Sequence, residues 1–426
     1  MNVFFDTIGC RLNQSEIEIM ASQFRRAGHT VVGDASNADL VIVNTCAVTS
    51  AAASDSRQKI RQAANKGAGQ IIATGCWATL EPQAALTLPG VENVVLNENK
   101  EHLVSDYLKV TPLIFDLEPL AREPLPGDHQ RTRAFIKVQD GCDNFCTFCI
   151  TKVARGKGVS RPTDEILKDI ESALIGDVKE IVLTGVHLGS WGKDFSQKQH
   201  LRDLIETILK VTSVQRLRLS SLEPWGLGES FFSLWEDQRL CPHLHLPLQS
   251  GSAEILKRMA RKTTPEKFMR IVEDARAVVP EIAITTDMIV GFPGETDELF
   301  AESMEFVKAI NFSAGHIFPF SPRPGTAAAK YQEQIPGMIK KRRSAAMRAI
   351  FAEMTHLYQS SYIGKEVDVL WENGELQLDG NWQMKGLTGN YLRIATKDKD
   401  NLVNQIHQVK IHSFSMDGLE GEVLNK

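Results

Sequence analysis

Short apolar runs recur along most of the chain, and stretches of helical period separate them. Near the start the runs are Val3-Phe4-Phe5, Leu40-Val41-Ile42-Val43, Gln70-Ile71-Ile72-Ala73 and Val94-Val95-Leu96. Helix candidates lie between them, from Gln14 to Arg26 and from Ala52 to Lys66. Strands apolar throughout, alternating with helices, predict a parallel sheet covered by helices, here an α/β domain over residues 1–117. The stretch from Leu117 to Arg133 has no period and carries Pro119, Pro124, Pro126 and Gly127, which predicts a linker.

Residues 128–355 repeat the strand–helix pattern. Six strands are expected: Phe135–Val138, Glu180–Leu183, Arg216–Leu219, His243–Leu246, Ile282–Thr285 and Gly315–Phe318. Helical segments such as Asp164–Leu174 and Pro265–Val279 separate them. Six such units predict a partial TIM-type (β/α)6 barrel, whose sites lie at the carboxyl ends of the strands. Ile335 to Tyr362 reads as one helix with Lys340, Lys341, Arg342, Arg343 and Arg348. The pattern changes over residues 360–426. Val367–Leu370, Leu376–Leu378, Tyr391–Ala395 and Gln408–Ile411 read as short strands, with Asn373-Gly374, Asp379-Gly380 and Asp417-Gly418 as turns. A small β-barrel follows from that pattern.

Composition narrows the function classes. Of 426 residues, 42% are hydrophobic and 24% charged, which fits a folded soluble protein and excludes a largely disordered chain. Net charge is -5, so nucleic-acid contact would need a local basic patch. No apolar run reaches the ~20 residues of a membrane span, and the start lacks a basic n-region, so neither a span nor a signal peptide is expected. Seven cysteines in a chain this long do not read as a disulfide scaffold; free thiols in a reducing cytoplasm are expected.

Three thiols fall on one loop, Gly141-Cys142-Asp143-Asn144-Phe145-Cys146-Thr147-Phe148-Cys149, directly after the first barrel strand. Thiolates are the usual iron–sulfur ligands. Three of them on a cubane cluster leave one iron open for a substrate or cofactor. Structural zinc would want a fourth Cys or His nearby. None follows in the next 37 residues, and His129 is the nearest upstream. Cys10, Cys46 and Cys76 each sit just past an expected buried strand, after VFFDTIG, LVIVNT and IIATG. Parallel strands present their carboxyl ends on one edge, where ligands bind. These three thiols are therefore candidates for a second cluster; the alternative is small buried core residues. Cys241 reads as a core thiol.

The Cys142-x3-Cys146-x2-Cys149 spacing, with Phe148 before the last Cys, resembles the radical SAM superfamily. Cys10, Cys46 and Cys76, in the contexts GCRLNQSE, NTC and TGCWA, resemble the methylthiotransferase family in particular. So do CITKVARGKGVSRP, LTGVHLGSWG, LSSLEPW, HLPLQSGS and VGFPGE. Residues around Gly364–Val367 and Gly386–Tyr391 are similar to a TRAM domain, a small RNA-binding barrel. Within the family, Asn44–Thr49 with Ser56-Arg57-Gln58, and Ser220–Trp225, look most like the branch acting on N6-threonylcarbamoyladenosine 37 of tRNA. The alternatives are the branch for N6-isopentenyladenosine 37 and the one for an aspartate of ribosomal protein uS12.

The resemblance implies two [4Fe-4S] clusters and S-adenosylmethionine, which chelates the open iron of the Cys142/Cys146/Cys149 cluster. Its reductive cleavage gives a 5′-deoxyadenosyl radical able to take hydrogen from C2 of adenine. The Cys10/Cys46/Cys76 cluster would supply or present the inserted sulfur, and a second S-adenosylmethionine the methyl group. Cofactor contacts are expected from Phe148, Thr184, Gly185, His187, Ser221, Glu223, Gln249, Asp287, Gly291 and Pro293; turn chemistry at strand ends is the competing explanation. Implied partners are tRNA, an electron donor such as flavodoxin or ferredoxin, and a sulfur source, with no membrane. For RNA, Lys340–Arg343, Arg155, Lys157 and Arg161 are candidates, against a solvated helix face. Tyr391, Trp371 and Trp382 are stacking candidates, against filling the small barrel. Two features depart from the family pattern. Lys152-Val153 replaces Pro followed by an aromatic. Residues 361–426 carry 7 Lys and Arg against 10 Asp and Glu, which limits the phosphate contact that part can supply.

Overall fold

Five parallel strands build the N-terminal sheet: β1 (Asn2–Thr7), β2 (Thr30–Val31), β3 (Leu40–Thr45), β4 (Gln70–Gly75) and β5 (Val91–Val95), in the order β2-β1-β3-β4-β5. β3 is buried at every position, as a central strand covered on both faces must be. Its alternate side chains face two cores. Val41 and Val43 pack with Ala53, Ile60 and Ala63 of helix α2 (Ser50–Asn65). Leu40 and Ile42 pack with Ile17, Met20 and Phe24 of helix α1 (Arg11–Arg26). The strand order reverses between β1 and β3, and ligands collect at such a switch point. The computed structural model describes residues 1–112, 121–123, 125, 132–225, 227 and 229–424. Most of the expected linker, with Pro119, Pro124, Pro126, Gly127 and His129, lies outside the described residues.

The middle of the chain forms six parallel strands: β6 (Arg133–Lys137), β7 (Glu180–Thr184), β8 (Arg216–Leu219), β9 (His243–His245), β10 (Ala283–Val290) and β11 (Ala314–Pro319). They pair as β8-β7-β6 and β9-β10-β11, and the bridges Leu217↔Leu240 and Ser221↔His245 join the two halves. This is the expected six-stranded partial barrel. Its core is aliphatic and aromatic and includes Ile136, Leu183, Leu219, Leu244 and Ile284. The helix expected over Ile335–Tyr362 spans Gly337–Ser360 and packs on the barrel through Met347, Phe351 and Met354.

The last strands, β12 (Glu366–Leu376), β13 (Trp382–Thr388), β14 (Arg393–Asp398), β15 (Ile406–Ser415) and β16 (Gly418–Val423), close into a barrel in the order β12-β13-β14-β16-β15. Three local expectations change. No separate strand forms over Leu376–Leu378: Leu376 ends β12 and the chain then turns. Asn373-Gly374 is no turn: it continues β12 past a bulge between Trp371 and Asn373. Tyr391 is no strand residue: it sits at φ 72, before β14. The small barrel docks through charge. Arg218 of β8 donates to the carbonyls of Thr388 (3.1 Å) and Gly389 (2.8 Å), and Arg216 to that of Leu387 (3.1 Å). No helix among the described residues is long and apolar enough to cross a membrane.

Candidate active site

Register explains why three distant cysteines meet. Thr7 pairs with Asn44, Asn44 with Thr74, and Thr45 with Gly75, so β1, β3 and β4 end level with one another. Cys46 and Cys76 follow β3 and β4 directly, and Cys10 opens α1 after a short turn. Gly9 (φ 102) lets that turn close: a Cβ there would lie 2.5 Å from the Cys46 sulfur. Gly75 (φ 92) is as tight, with Asn44 and Thr45 atoms 2.4 Å from a Cβ.

The three thiols interact electrostatically with one another. Burial pushes Cys46 up to about 11. Cys10 opens onto a cavity yet is crowded by protein; that crowding raises its thiol, and Arg155 opposes the rise. The cavity, of 810 Å³, is lined by all three sulfur-bearing residues and by Thr184, Gly185, Ser221 and Asp287 from the barrel strand ends. No three His, Cys, Asp or Glu side chains among the described residues converge tightly enough for a single metal ion. Thiols spread around a shared space suit a cluster, which takes its ligands at separate corners.

The second triad is fixed by its own loop. The Cys142 amide donates to the Gly156 carbonyl at 3.1 Å, and the Cys149 amide to that of Cys146 at 3.1 Å. Thr147 is tied to the barrel by its amide, 3.1 Å from the Met259 carbonyl. Phe148 packs against a small core with Met259, Phe292 and Phe320. Two donors reach the sulfurs: the Asn144 amide at 3.4 Å from Cys142, and Arg261 at 3.9 Å from Cys146. Burial raises both thiols, and these donors oppose it.

The remaining expected cofactor contacts divide. His187 and Glu223 stand beside this loop rather than lining the cavity. His187 lies 3.4 Å from the Asn144 side chain, and burial, then Lys193, pushes it down to about 4, so it is neutral at pH 7. Glu223 pairs with Arg261 at 2.7 Å, whose guanidinium lies 4.6 Å from the Trp225 ring centroid. Gln249 adopts φ 75, its amide donating to Asp287 and its carbonyl accepting from Ile289. The Gly291 amide donates to Glu295 at 2.6 Å, and Pro293 is buried. Neither Gln249, Gly291, Pro293 nor Phe148 is among the residues lining the cavity.

Between the two triads lies a buried ion cluster that sequence reasoning missed. Arg155 donates to Glu16 (2.8 Å), Asp140 (2.9 Å) and Asn13 (2.6 Å), and Lys100 donates to Glu16 (2.8 Å). Burial would raise the Glu16 carboxyl, but Arg155, Lys100 and Lys137 hold it well below the usual range. The signal was present: Asn13 and Glu16 follow Cys10 at helical spacing on one face of α1. Arg155 is thus no free phosphate ligand; its side chain is 2% exposed. Arg343 is similarly occupied by Glu295 and Asp297, both at 2.8 Å. Arg161 pairs with Asp169 at 2.8 Å. Lys157, Lys341 and Arg342 are exposed, with Arg342 paired to Asp297. Trp371 is fully buried in the small barrel, Trp382 packs against the same core, and Tyr391 faces the cavity.

Comparison with known proteins agrees with this architecture. Residues 136–307 match the Radical SAM superfamily, and residues 2–97 match an uncharacterized protein family, UPF0004. Threonylcarbamoyladenosine tRNA methylthiotransferase MtaB of Thermotoga maritima is 39% identical over 98% of this chain and 96% of its own. The protein of the same name from Bacillus subtilis is 34% identical over 96% and 93%. A tRNA-2-methylthio-N(6)-dimethylallyladenosine synthase of Clostridium botulinum is 31% identical over 98% and 96%. Among solved structures, the radical S-adenosylmethionine methyltransferase TsrM from Kitasatospora setae, with cobalamin and a [4Fe-4S] cluster bound, shares the fold. Its TM-score is 0.58 at 15% identity, over 77% of this chain and 76% of that one. The chain belongs to the radical SAM methylthiotransferase family.

Proposed function

We propose that this enzyme inserts sulfur at C2 of N6-threonylcarbamoyladenosine 37 in tRNA and methylates it to the 2-methylthio product. One observation carries the reading: a single cavity is walled by Cys10, Cys46 and Cys76 on one side and by barrel strand ends on the other. The full-length similarity to the two MtaB proteins favours this substrate over the isopentenyl base and over ribosomal protein uS12.

The enzyme works with S-adenosylmethionine and two [4Fe-4S] clusters. When bound, S-adenosylmethionine on a reduced cluster supplies one-electron chemistry that opens an aromatic C–H bond, which no side-chain acid or base can do. Cys142, Cys146 and Cys149 would hold that cluster, with the Asn144 amide and Arg261 stabilising thiolate charge on two of the sulfurs. Arg261 also fixes Glu223, which with Ser221 would bond ribose hydroxyls. Thr184 and Gly185 offer polar backbone at the strand end for the methionine amine. Cys10, Cys46 and Cys76 would hold the second cluster, with buried Arg155 supplying positive charge beside it. The small barrel and the exposed Lys157 and Lys341 would carry the tRNA, in the cytoplasm. An electron donor such as flavodoxin or ferredoxin and a sulfur source complete the reaction.

Mass spectrometry of tRNA nucleosides from cells lacking the gene tests this directly. Loss of 2-methylthio-N6-threonylcarbamoyladenosine is expected. Loss of the isopentenyl form instead would reassign the substrate.

A further inference from the structure

Arg11 is the first residue of α1 and lines the cavity beside Cys10. Its guanidinium donates to the Tyr391 hydroxyl and lies 5.5 Å from that ring's centroid and 5.8 Å from that of Phe135. No carboxylate among the described residues is within ion-pair distance of it. The other buried arginines nearby each have a carboxylate partner: Arg216 and Arg218 share Glu180, Arg133 pairs with Glu372, and Arg155 with Glu16 and Asp140. A largely buried cation facing a cavity, with only a phenol as polar partner, lacks its counter-ion.

Tyr391 is built to hold that position. It takes φ 72, its ring stacks on His243 at 4.6 Å, and Arg218 lies 4.9 Å from the ring centroid. The phenol therefore comes from the small barrel and the guanidinium from the N-terminal domain. They meet at the cavity wall beside a candidate cluster ligand.

This inference rests on the proposed substrate and deepens it. The N6 substituent and C2 of adenine flank one edge of the base, with N1 between them. A group that reads the substituent must therefore stand near the one that delivers sulfur to C2. The threonylcarbamoyl group ends in a carboxylate, whose two oxygens match the planar fork of an arginine. We propose that Arg11, positioned by Tyr391, receives the threonyl carboxylate and determines specificity for the acidic base. An isopentenyl group offers no such partner and would leave the cation uncompensated.

The test uses the full-length, anaerobically reconstituted holoenzyme. Its substrates are anticodon stem-loops carrying N6-threonylcarbamoyladenosine, or its methyl ester, which keeps the shape and removes the charge. The wild type should favour the acid by about tenfold to a hundredfold in KM, the range for a hydrogen bond to a charged group. Arg11→Gln should erase that preference mainly through KM, and Arg11→Lys should restore part of it. Retention of the preference by an iron-replete Arg11→Gln variant would overturn the assignment. Should that variant fail to take up iron, the wild type decides alone: equal KM for acid and ester overturns the inference and leaves the substrate reading intact. Activity on an isopentenyl stem-loop, with none on either threonylcarbamoyl form, would overturn the substrate reading and this inference with it.

Discussion

Replacing Glu180 with Gln should loosen the C-terminal barrel from the catalytic barrel. The Glu180 side chain is fully buried and accepts from Arg218 at 2.7 and 3.0 Å, with Arg216 at 2.9 Å and Arg133 at 3.9 Å. Burial alone would raise its carboxyl; Arg218 and then Arg216 hold it down, from the ordinary 4.5 to about 2. That change corresponds to roughly 3 kcal/mol of stabilisation at neutral pH. Removing one partner of a buried ion pair costs about 3–5 kcal/mol, in agreement. The folded value is depressed, so the contribution is complete above about pH 4.5 and is lost as pH falls towards 2. Arg218 and Arg216 bond the carbonyls of Leu387, Thr388 and Gly389, so the loss should appear there and at Tyr391. Hydrogen exchange followed by mass spectrometry on peptides spanning 385–393 reads it. At pH 7, Glu180→Gln should speed exchange by roughly a hundredfold for 3 kcal/mol. In the wild type the same peptides should lose protection between pH 4.5 and 2. Unchanged protection in Glu180→Gln at pH 7 would refute the claim that this carboxylate secures the docking.

Cys146→Ala should abolish S-adenosylmethionine cleavage, whereas Cys46→Ala should spare cleavage and remove sulfur insertion; chromatography of 5′-deoxyadenosine and of tRNA nucleosides distinguishes the two. Gly75→Ala forces a Cβ to within 2.4 Å of Asn44 and Thr45 at φ 92. The backbone term alone costs about 1–3 kcal/mol. Thermal unfolding should fall accordingly, and the iron assigned to Cys10, Cys46 and Cys76 should drop while the Cys142 centre stays loaded.

Most of the scaffold was legible because its signals are local. Leu40–Val43 is buried on both faces, so its sequence is apolar without alternation; the barrel strand over Ile181–Leu183 reads the same way, whereas Arg216–Leu219 and His243–His245 alternate polar with apolar residues. The C-terminal barrel was less legible. Asn373-Gly374 has turn chemistry but is drawn into β12 by pairing with Lys385 and Met384, with a bulge absorbing the mismatch. Tyr391 has a strand former's side chain but a left-handed backbone, imposed by contacts with Arg11, His243 and Arg218 from two other parts of the chain. In the site, the cysteine sets could be grouped by spacing and strand position. The roles of Arg155 and Arg343 could not. A basic residue looks alike in sequence whether it awaits phosphate or closes a buried ion cluster, and only Glu16 and Glu295, far along the chain, decide it.

The central claim is that two separate cysteine triads each carry a cluster, with the Cys10, Cys46 and Cys76 triad at the cavity wall. Iron and sulfide analysis of anaerobically reconstituted protein, alongside the Cys10→Ala/Cys46→Ala/Cys76→Ala variant, tests it most directly. The account predicts about eight irons per wild-type chain and about four in the variant, which still cleaves S-adenosylmethionine. Equal iron in both proteins, or full thiomethylation by the variant, would contradict it.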